Sequence, residues 1–238
     1  MAKPMTSHLV TGAGSGVGEA IARRLHDRGD HLVLVARSVA RAEELAAAYP
    51  GSDLVVADLA DVEGLDAALA AADLPDELDS LMQIAGALEL GTVGEAPLAD
   101  WREQLDVNLI APAVLTRHCL PALRATRGTI VFANSSAGLY ASPTWSAYAA
   151  SKFGLRALAD ALRAEEVEHG VRVSTVFPSR TATPMQEKVH EQEGRTYDSS
   201  RWISPDTVVD TLLHVLDLPA DATIPEVTVR PVVPRPGT

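Results

Sequence analysis

Short apolar runs alternate along this chain with stretches in which apolar residues recur every three or four positions. The short runs predict strands, and the helically spaced stretches predict amphipathic helices. The predicted strands are the run that ends at Thr11 and residues 32–36, 53–57, 79–85, 129–134, 172–177 and 226–230. The predicted helices are a first one that Gly29 ends and residues 39–49, 62–72, 98–123, 147–169 and 205–216.

Alternation of this kind is typical of β-α-β units joined by right-handed crossovers. We therefore expect an α/β fold: a doubly wound, Rossmann-type, seven-stranded and mainly parallel sheet with helices on both faces. The hydrophobic content of 47% suits strands that are buried on both faces. No linker or internal repeat interrupts the pattern, so residues 1–238 are predicted to form a single domain.

Two segments fall outside the alternation. The start, from Met1 to Met5, is expected to be short and disordered. Residues 179–204 are rich in charge and are predicted to be irregular and mobile. Because they follow the carboxyl end of a strand, where folds of this type bind ligands, we expect them to form a substrate lid.

Charge and cysteine content narrow the class of partner. A net charge of −12 argues against nucleic acid and against anionic membranes. The single cysteine, Cys119, lies in a helical apolar pattern and is expected to be a small core residue, which fits a reducing compartment. No apolar run approaches the roughly 20 residues that span a bilayer, and no signal peptide is recognisable. We therefore expect a cytoplasmic protein with a small-molecule partner.

Four glycines, Gly12, Gly14, Gly16 and Gly18, stand between the first strand and the first helix. Glycine is required where φ is positive and where the backbone must approach a phosphate closely. The start of the helix adds free N–H groups and the positive end of its dipole. The turn therefore predicts a dinucleotide site, although an ordinary glycine-rich turn is the simpler alternative.

Tyr148 and Lys152 are four residues apart, so on a helix their side chains share one face. A fixed cation favours the phenolate, so we expect the pKa of Tyr148 to be drawn down from about 10 toward neutrality. Such a phenol exchanges protons at physiological pH. Alone, the pair is weak evidence, because the same spacing is common on solvated helix faces.

The pair occurs together with further motifs, and with all of them the chain resembles the short-chain dehydrogenase/reductase family in its compact single-domain form. The matching motifs occur in family order and cover nearly the whole chain. They are Thr11-Gly12-x-x-x-Gly16-x-Gly18, Asp58-Leu59, Val107-Asn108-Leu109, Ser135, Tyr148-x-x-x-Lys152 and Pro178-Ser179-Arg180-Thr181-Ala182-Thr183-Pro184-Met185.

The resemblance implies that Asn108, Ser135, Tyr148 and Lys152 are catalytic. Ser135 is then expected to hold the substrate oxygen, and Lys152 to bond the nicotinamide ribose. By position alone Ser136 is an equally good hydroxyl, but the family spacing to Tyr148 favours Ser135. The implied cofactor residues are Gly12, Ser15, Gly16, Val17, Gly18, Asp58, Leu59, Ala85, Gly86, Tyr148, Lys152, Pro178 and Thr183. No metal is expected.

The chain departs from the family pattern in two places. On the fourth strand the usual Asn-Asn-Ala-Gly is replaced by Gln83-Ile84-Ala85-Gly86, which puts in doubt the side-chain hydrogen bonds made there. In the nicotinamide loop the usual Pro-Gly becomes Pro178-Ser179, which places a hydroxyl toward the substrate space.

Asn108 lies inside a predicted helix four residues before Pro112. Proline has no N–H, so the Asn108 carbonyl is expected to lack its helical partner and to hold a water beside Lys152, as in the family's proton relay. A simple proline kink is the alternative.

The end of the second strand, Ala36-Arg37-Ser38, indicates which cofactor is used. An acidic residue there would favour NAD, whereas Arg37 is suited to a 2′-phosphate. Ser38 and Ser15 are expected to add hydroxyl contacts, and Arg41 to add charge. NADP is therefore favoured over NAD.

The helix that carries Tyr148 is apolar on two sides. Leu155, Leu158 and Leu162 mark one side, and Phe153, Ala157 and Ala161 mark the other. One side can face the sheet, and the other requires a second cover. The resemblance implies a homodimer or homotetramer through the helices at 98–123 and 147–169.

These observations predict an NADP-dependent oxidoreductase that interconverts an alcohol and a carbonyl. A catalytically silent sensor or scaffold of the same fold is the alternative. A sugar-nucleotide epimerase uses a similar pair but usually carries a further domain. The ending, 218–232, loosely resembles NADP-dependent 3-hydroxy acid dehydrogenases of the serine-oxidising type. The candidate substrate residues are Ser136, Tyr140, Trp145, Phe177, Ser179, Arg180, Met185 and Trp202.

Overall fold

A computed structural model describes residues 5–232 of the chain. Its centre is one sheet of seven parallel strands in the order β3-β2-β1-β4-β5-β6-β7. The strands are β1 Ser7–Thr11, β2 His31–Ala36, β3 Asp53–Val56, β4 Ser80–Gln83, β5 Thr129–Ala133, β6 Arg172–Pro178 and β7 Glu226–Val229. The predicted doubly wound fold is confirmed, and every strand pair in the sheet is parallel.

Helices cover both faces of the sheet, so the inner strands are buried along nearly their whole length rather than at alternate positions. The helices are α1 Gly16–Asp27, α2 Val39–Ala48, α3 Val62–Ala71, α4 Leu98–Leu105, α5 Ala111–Thr126, α6 Ser146–Glu165, α7 Pro184–Gln192 and α8 Pro205–Leu216. One core lies under α1, α2 and α8, and the other under α3, α5 and α6.

The predicted long helix at 98–123 is two α-helices joined by a π-helical turn at Asp106–Ile110. Pro112 lies two residues beyond this turn, and its missing N–H cannot complete an ordinary α-helical turn with the Asn108 carbonyl. The distortion expected from this proline therefore takes the form of one wide turn. Such turns occur frequently at functional sites.

The two sides of α6 differ in exposure. Leu155 and Leu162 are buried in the core against the sheet, and Leu158 packs beside them. On the other side Phe153 is 42% exposed, and Ala157 and Ala161 are exposed as well. Within this chain, therefore, only one of the two apolar sides is covered.

The prediction that 179–204 is irregular was wrong, because α7 occupies its centre. Thr183 caps the helix by accepting a hydrogen bond from the Gln186 N–H at 3.3 Å, and Pro184 suits the first turn. Val189 and His190 of this helix are buried. Glu187, Lys188 and Glu191, part of the charge that suggested a solvated loop, form the exposed side of a packed amphipathic helix.

Three further expectations concern Cys119, membrane-spanning helices and the start of the chain. Cys119 is buried, and burial raises the pKa of its thiol to about 12, as suits a core residue. Between residues 5 and 232, no helix combines the length and apolarity needed to cross a membrane. The predicted disordered start lies, except for Met5, outside the described residues.

Candidate active site

A cleft of about 970 Å³ opens at the carboxyl ends of the strands. In doubly wound sheets this is the edge where ligands bind. The cleft runs from the glycine-rich turn, past the end of β5 and the start of α6, to the loop and helix that follow β6. Most of the predicted site residues line it.

The glycine-rich turn fits a dinucleotide phosphate. Gly12 and Gly16 have φ values of +76° and +56°, a region that side chains disfavour. A Cβ at Gly18 would overlap the Gly12 carbonyl oxygen, so a larger residue would break the contact between α1 and the turn. The first N–H groups of α1 therefore lie next to the closely packed backbone of the glycine-rich turn. This arrangement is the one that binds pyrophosphate.

The turn after β4 is fastened to the glycine-rich turn. The Thr11 hydroxyl accepts hydrogen bonds from the N–H groups of Ile84 and Ala85, each at 3.1 Å. A Cβ at Gly12 would lie 3.0 Å from the Ala85 backbone. The backbone turn at Ala85-Gly86 is therefore present although the family's asparagines are not.

Gln83 takes part in a different interaction from the one its position suggested. Its side-chain amide donates to the Pro112 carbonyl at 3.1 Å and to the Thr116 hydroxyl at 2.9 Å. These bonds connect β4 to the start of α5, directly after the π-helical turn. The replacement of asparagine therefore links the sheet to the helix that follows Asn108.

Tyr148, Ser135 and Lys152 converge in the middle of the cleft. The Ser135 hydroxyl bonds the phenol of Tyr148, and the Lys152 ammonium lies 5.8 Å from the phenol ring centroid. Lys152 also donates a hydrogen bond to the Ala133 carbonyl at 3.1 Å. The helix α6 and the end of β5 thus bring together residues that the sequence separates.

The expected lowering of the Tyr148 pKa was wrong for this arrangement. Burial raises the pKa of Tyr148 to about 12, and the Ser135 hydrogen bond opposes that rise. Burial also lowers the pKa of Lys152 to about 8. Both shifts have one cause, because a charged phenolate and a charged ammonium each lose hydration inside the protein. The phenol is therefore a neutral proton donor at pH 7.

Asn108 is fully buried, and its side chain is held by three hydrogen bonds. Its amide nitrogen donates to the Ala87 carbonyl at 2.8 Å and to the Ser151 hydroxyl at 3.0 Å. Its amide oxygen accepts from the Ala87 N–H at 2.9 Å. The side chain is thus committed to structure, and the proposed water at its carbonyl stays a prediction.

Asn134 is a site residue that the sequence did not identify. Its amide oxygen accepts from the Ser135 N–H at 2.8 Å, and its amide nitrogen donates to the Lys152 carbonyl at 3.0 Å. One side chain therefore links the turn that carries the serine to the helix that carries the tyrosine and lysine. Its position, directly before Ser135 at a strand end, is the available sequence signal.

At the end of the cleft beside β2 and β3, Arg37 is exposed and lines the cleft, and Asp58 and Leu59 line it as well. The Arg41 guanidinium contacts the Gly14 carbonyl and the Glu44 carboxylate. Ser38 was expected to touch the cofactor but does not line the cleft. Its hydroxyl instead caps α2 by accepting from the Arg41 N–H at 3.3 Å.

At the opposite end, several of the predicted substrate residues line the cleft. They are Ser136, Tyr140, Trp145, Ser179, Arg180 and Met185. The remaining cofactor candidates that line it are Ser15, Val17, Pro178 and Thr183. The prediction for two aromatic residues was wrong: Phe177 is buried in the core, and Trp202 packs against His190 outside the cleft lining. Glu193 and Arg195 line this end as well and were not predicted.

A family model described as short chain dehydrogenase matches residues 7–194 of this chain. The chain therefore belongs to the short-chain dehydrogenase/reductase family, and the resemblance seen in its motifs is confirmed. It is an oxidoreductase of that family. An uncharacterized short-chain type dehydrogenase/reductase of Sinorhizobium fredii is 32% identical over 232 residues, covering 94% of this chain and 90% of that protein.

Solved structures support the same fold. A closed form of serine dehydrogenase complexed with NADP+ has a TM-score of 0.85 and 25% identity, over 98% of each chain. A 4-hydroxyisoleucine dehydrogenase complexed with NADH has a TM-score of 0.81 and 23% identity, over 94% of this chain and 96% of the other. At this level of identity the likeness shows the fold alone. Neighbours of this fold thus bind one or the other nicotinamide cofactor.

Proposed function

We propose that this protein is an NADP(H)-dependent oxidoreductase that interconverts an alcohol and a carbonyl, with Tyr148 as the general acid and base. The observation that carries the proposal is the convergence of Tyr148, Ser135 and Lys152 within one cleft that continues to a glycine-rich turn. The single-domain organisation of residues 1–238, with 179–204 as the substrate lid, is part of this proposal.

The residues of the cleft fit a dinucleotide along its whole length. The glycine-rich turn and the first turn of α1 would hold the pyrophosphate, and Asp58 and Leu59 would contact the adenine. Pro178 and Thr183 would border the nicotinamide, which, when bound, supplies a hydride to the carbonyl carbon or accepts one from the alcohol.

The protein's own residues manage the oxygen and its proton. In the reducing direction the carbonyl oxygen gains negative charge, and the hydroxyl of Ser135 stabilises it by donating a hydrogen bond. The neutral phenol of Tyr148 then transfers its proton to that oxygen, which leaves a phenolate. The ammonium of Lys152, 5.8 Å from the ring, stabilises the phenolate by Coulomb attraction. In the oxidising direction the proton moves the opposite way, from the alcohol to the phenolate of Tyr148.

Preference for NADP over NAD is supported by charge at the adenosine end. Arg37 lines the cleft there, and Arg41 lies over the glycine-rich turn. The strand end itself contributes Ala36, which offers no carboxylate to repel a 2′-phosphate.

The exposed side of α6 supports a homodimer or homotetramer. Phe153 on α6 and Ile110 beside α5 are each 42% exposed although both are large and apolar. Exposed apolar patches of this kind commonly mark subunit contacts. The helices at 98–123 and 147–169 are therefore proposed to pack against their copies in a second subunit.

The function is tested by following NADPH oxidation with a panel of aldehydes, ketones and keto acids. Tyr148→Phe keeps the ring but removes the transferable proton, so turnover is expected to fall by at least about 10²-fold. NADPH binding, measured by fluorescence titration, should be unchanged. Near-native turnover by Tyr148→Phe would refute the assigned proton donor. Cofactor binding without turnover of any compound would instead favour a silent sensor or scaffold.

A further inference from the structure

Arg180 occupies an unusual position at the substrate end of the cleft. Its guanidinium carbon lies 5.4 Å from the ring of Trp145 and 5.6 Å from the ring of Trp202. Its side chain is only 12% exposed, yet the residue lines the cleft. Two indole rings therefore hold a permanently charged group at the wall of the substrate space.

Glu193, which follows the end of α7, neutralises part of this charge. Its two carboxylate oxygens accept from Arg180 at 3.0 and 2.5 Å, and the Arg195 guanidinium lies 3.6 Å from the same carboxylate. Burial alone would raise the pKa of Glu193, but the Arg180 hydrogen bonds and charge hold it below its usual value. The cluster of Arg180, Glu193 and Arg195 therefore has two positive charges and one negative charge.

The cluster has unused N–H donors and an excess of positive charge. A guanidinium has five N–H groups, and Glu193 uses two of those on Arg180. Across residues 5–232, no other group accepts a hydrogen bond from Arg180. Both oxygens of Glu193, in contrast, are engaged by arginine. A cationic ligand would meet an acid that is already paired, whereas an anion would meet unused N–H groups and an excess of positive charge.

The cluster is also close to the reacting centre. Trp145, which contacts the Arg180 guanidinium, packs its ring edge-on against Tyr148 with centroids 5.8 Å apart. One indole therefore separates the positive group from the proton donor. Tyr148 and Arg180 line the same cleft, so one substrate can place its carbonyl at Tyr148 and a second group at Arg180.

We propose that Arg180, supported by Arg195, binds a carboxylate of the substrate, so that the reaction is that of a small oxo acid and the corresponding hydroxy acid. With this carboxylate in place, two arginines face two carboxylates and the cluster becomes neutral. The protein as a whole carries a charge of −12, which disfavours anions at long range, so a local site of this kind is needed to select one. This inference rests on the proposed alcohol/carbonyl activity.

The test uses oxo acids of increasing length, namely pyruvate, acetoacetate and levulinate, and the primary amide of each. Acid and amide have nearly the same size and differ in charge. The native protein is expected to reduce at least one acid with a kcat/KM about 10- to 100-fold above that of its amide, the effect of a charge-assisted hydrogen bond. Arg180→Gln should lower kcat/KM for the acid about 10- to 100-fold more than for its amide, so that the ratio falls to about one.

A second variant separates substrate binding from a purely structural ion pair. Glu193→Gln removes the internal carboxylate, so it should lower KM for the acid relative to KM for the amide. If the pair only held α7 in place, Glu193→Gln and Arg180→Gln would impair acid and amide alike. Arg156→Gln is the matched control. Arg156 also pairs with a glutamate, Glu226, and lies over the ring of Phe177, but it does not line the cleft.

Calorimetry of the same acids into the protein saturated with oxidised cofactor makes the result independent of turnover. Binding that Arg180→Gln abolishes supports the carboxylate site even if no compound is reduced, in which case only the proposed activity fails. Reduction of neutral carbonyls, with neither preference for acids nor Arg180-dependent binding of them, overturns the carboxylate site and leaves the activity standing. Absence of both acid binding and acid reduction also overturns it.

Discussion

Asn134 and Lys152 are joined by a hydrogen bond from the asparagine amide to the lysine carbonyl at 3.0 Å, while the same asparagine accepts from the Ser135 N–H at 2.8 Å. These two bonds hold the end of β5 against α6, although Asn134 and Lys152 are 18 residues apart in the sequence. The side chain touches none of the reacting atoms that the proposed mechanism uses. Asn134 is therefore a positioning residue for the serine, the tyrosine and the lysine.

Replacing Asn134 tests this positioning role. Asn134→Ala removes two buried hydrogen bonds and should lower the free energy of unfolding by about 1–3 kcal/mol in urea titrations. It should also lower kcat while leaving the Kd for NADPH unchanged, because Ser135 and Tyr148 lose their relative placement. Asn134→Asp keeps the acceptor for Ser135 and loses the donor to Lys152. A kcat unchanged in both variants would contradict the role.

The ionisation of Lys152 should govern the pH dependence of reduction. Burial lowers the pKa of its ammonium to about 8, so the charge that stabilises the phenolate is present below that pH and lost above it. The chain has three lysines, Lys3, Lys152 and Lys188, so a protein labelled with 13C at lysine Cε gives three NMR signals. One of them should titrate near pH 8 and be missing from Lys152→Met.

Activity should follow that titration. The rate of carbonyl reduction by the native protein should decline as pH rises through about 8, because the neutral amine no longer offsets the charge on the Tyr148 oxygen. If all three lysine signals titrate near the ordinary value of about 10.4, burial does not control this group.

Arg37 should determine the preference between the two cofactors. Because NADP and NAD differ only by the 2′-phosphate, Arg37→Ala should weaken NADPH about 10- to 100-fold and leave NADH little changed. Ala36→Asp should reverse the order by repelling the phosphate and accepting the ribose hydroxyls. Asp58→Asn, expected at the adenine, serves as the control that affects both cofactors alike. Calorimetric titration that shows equal or tighter NADH binding by the native protein would mean that Arg37 does not contact the cofactor.

His8 should make stability depend on pH. Its ring is 2% exposed and bonds the Ser80 and Thr6 hydroxyls, and burial lowers its pKa below the usual 6.5, although Asp30 opposes that shift. The unfolded chain therefore binds the proton more readily. Stability from this group is complete above pH 6.5 and is lost as pH falls through the folded pKa.

The slope from His8 alone approaches about 1.4 kcal/mol per pH unit at most. Urea unfolding of the native protein and of His8→Gln between pH 8 and pH 5 measures it by difference. The variant should be less stable at pH 8 and should lose less stability on acidification. Parallel curves would assign the acid sensitivity to other groups.

The exposed side of α6 should associate with a second copy. Sedimentation velocity at micromolar concentration should give a dimer or tetramer, because Phe153 and Ile110 otherwise leave apolar surface in water. Phe153→Glu places a charge in that contact and should shift the protein toward monomer, whereas Val167→Glu, which is exposed beyond the end of α6, should not. A monomeric native protein would refute the proposed interface.

The sequence by itself determined the alternation of strands and helices apart from α7, the glycine-rich turn and the pairing of Tyr148 with Lys152. These follow from local rules, because side-chain period distinguishes a strand from a helix, and because residues four apart share a helix face. Even the break before Pro112 was locally encoded, since one missing N–H is enough to disturb a helix. Its form as a π-helical turn at Asp106–Ile110 was not predicted.

Only the tertiary structure decided what depends on segments that meet in space. The pKa of Tyr148 depends on how far its ring is buried: desolvation raises it, whereas the neighbouring cation had predicted a fall. The Asn134 link needs β5 beside α6, and the pairing of Arg180 with Glu193 needs α7 to fold where the sequence predicted an irregular lid. Which segments meet in space, and how deeply a polar side chain is buried where they meet, has no period along the chain, so no local pattern predicts either.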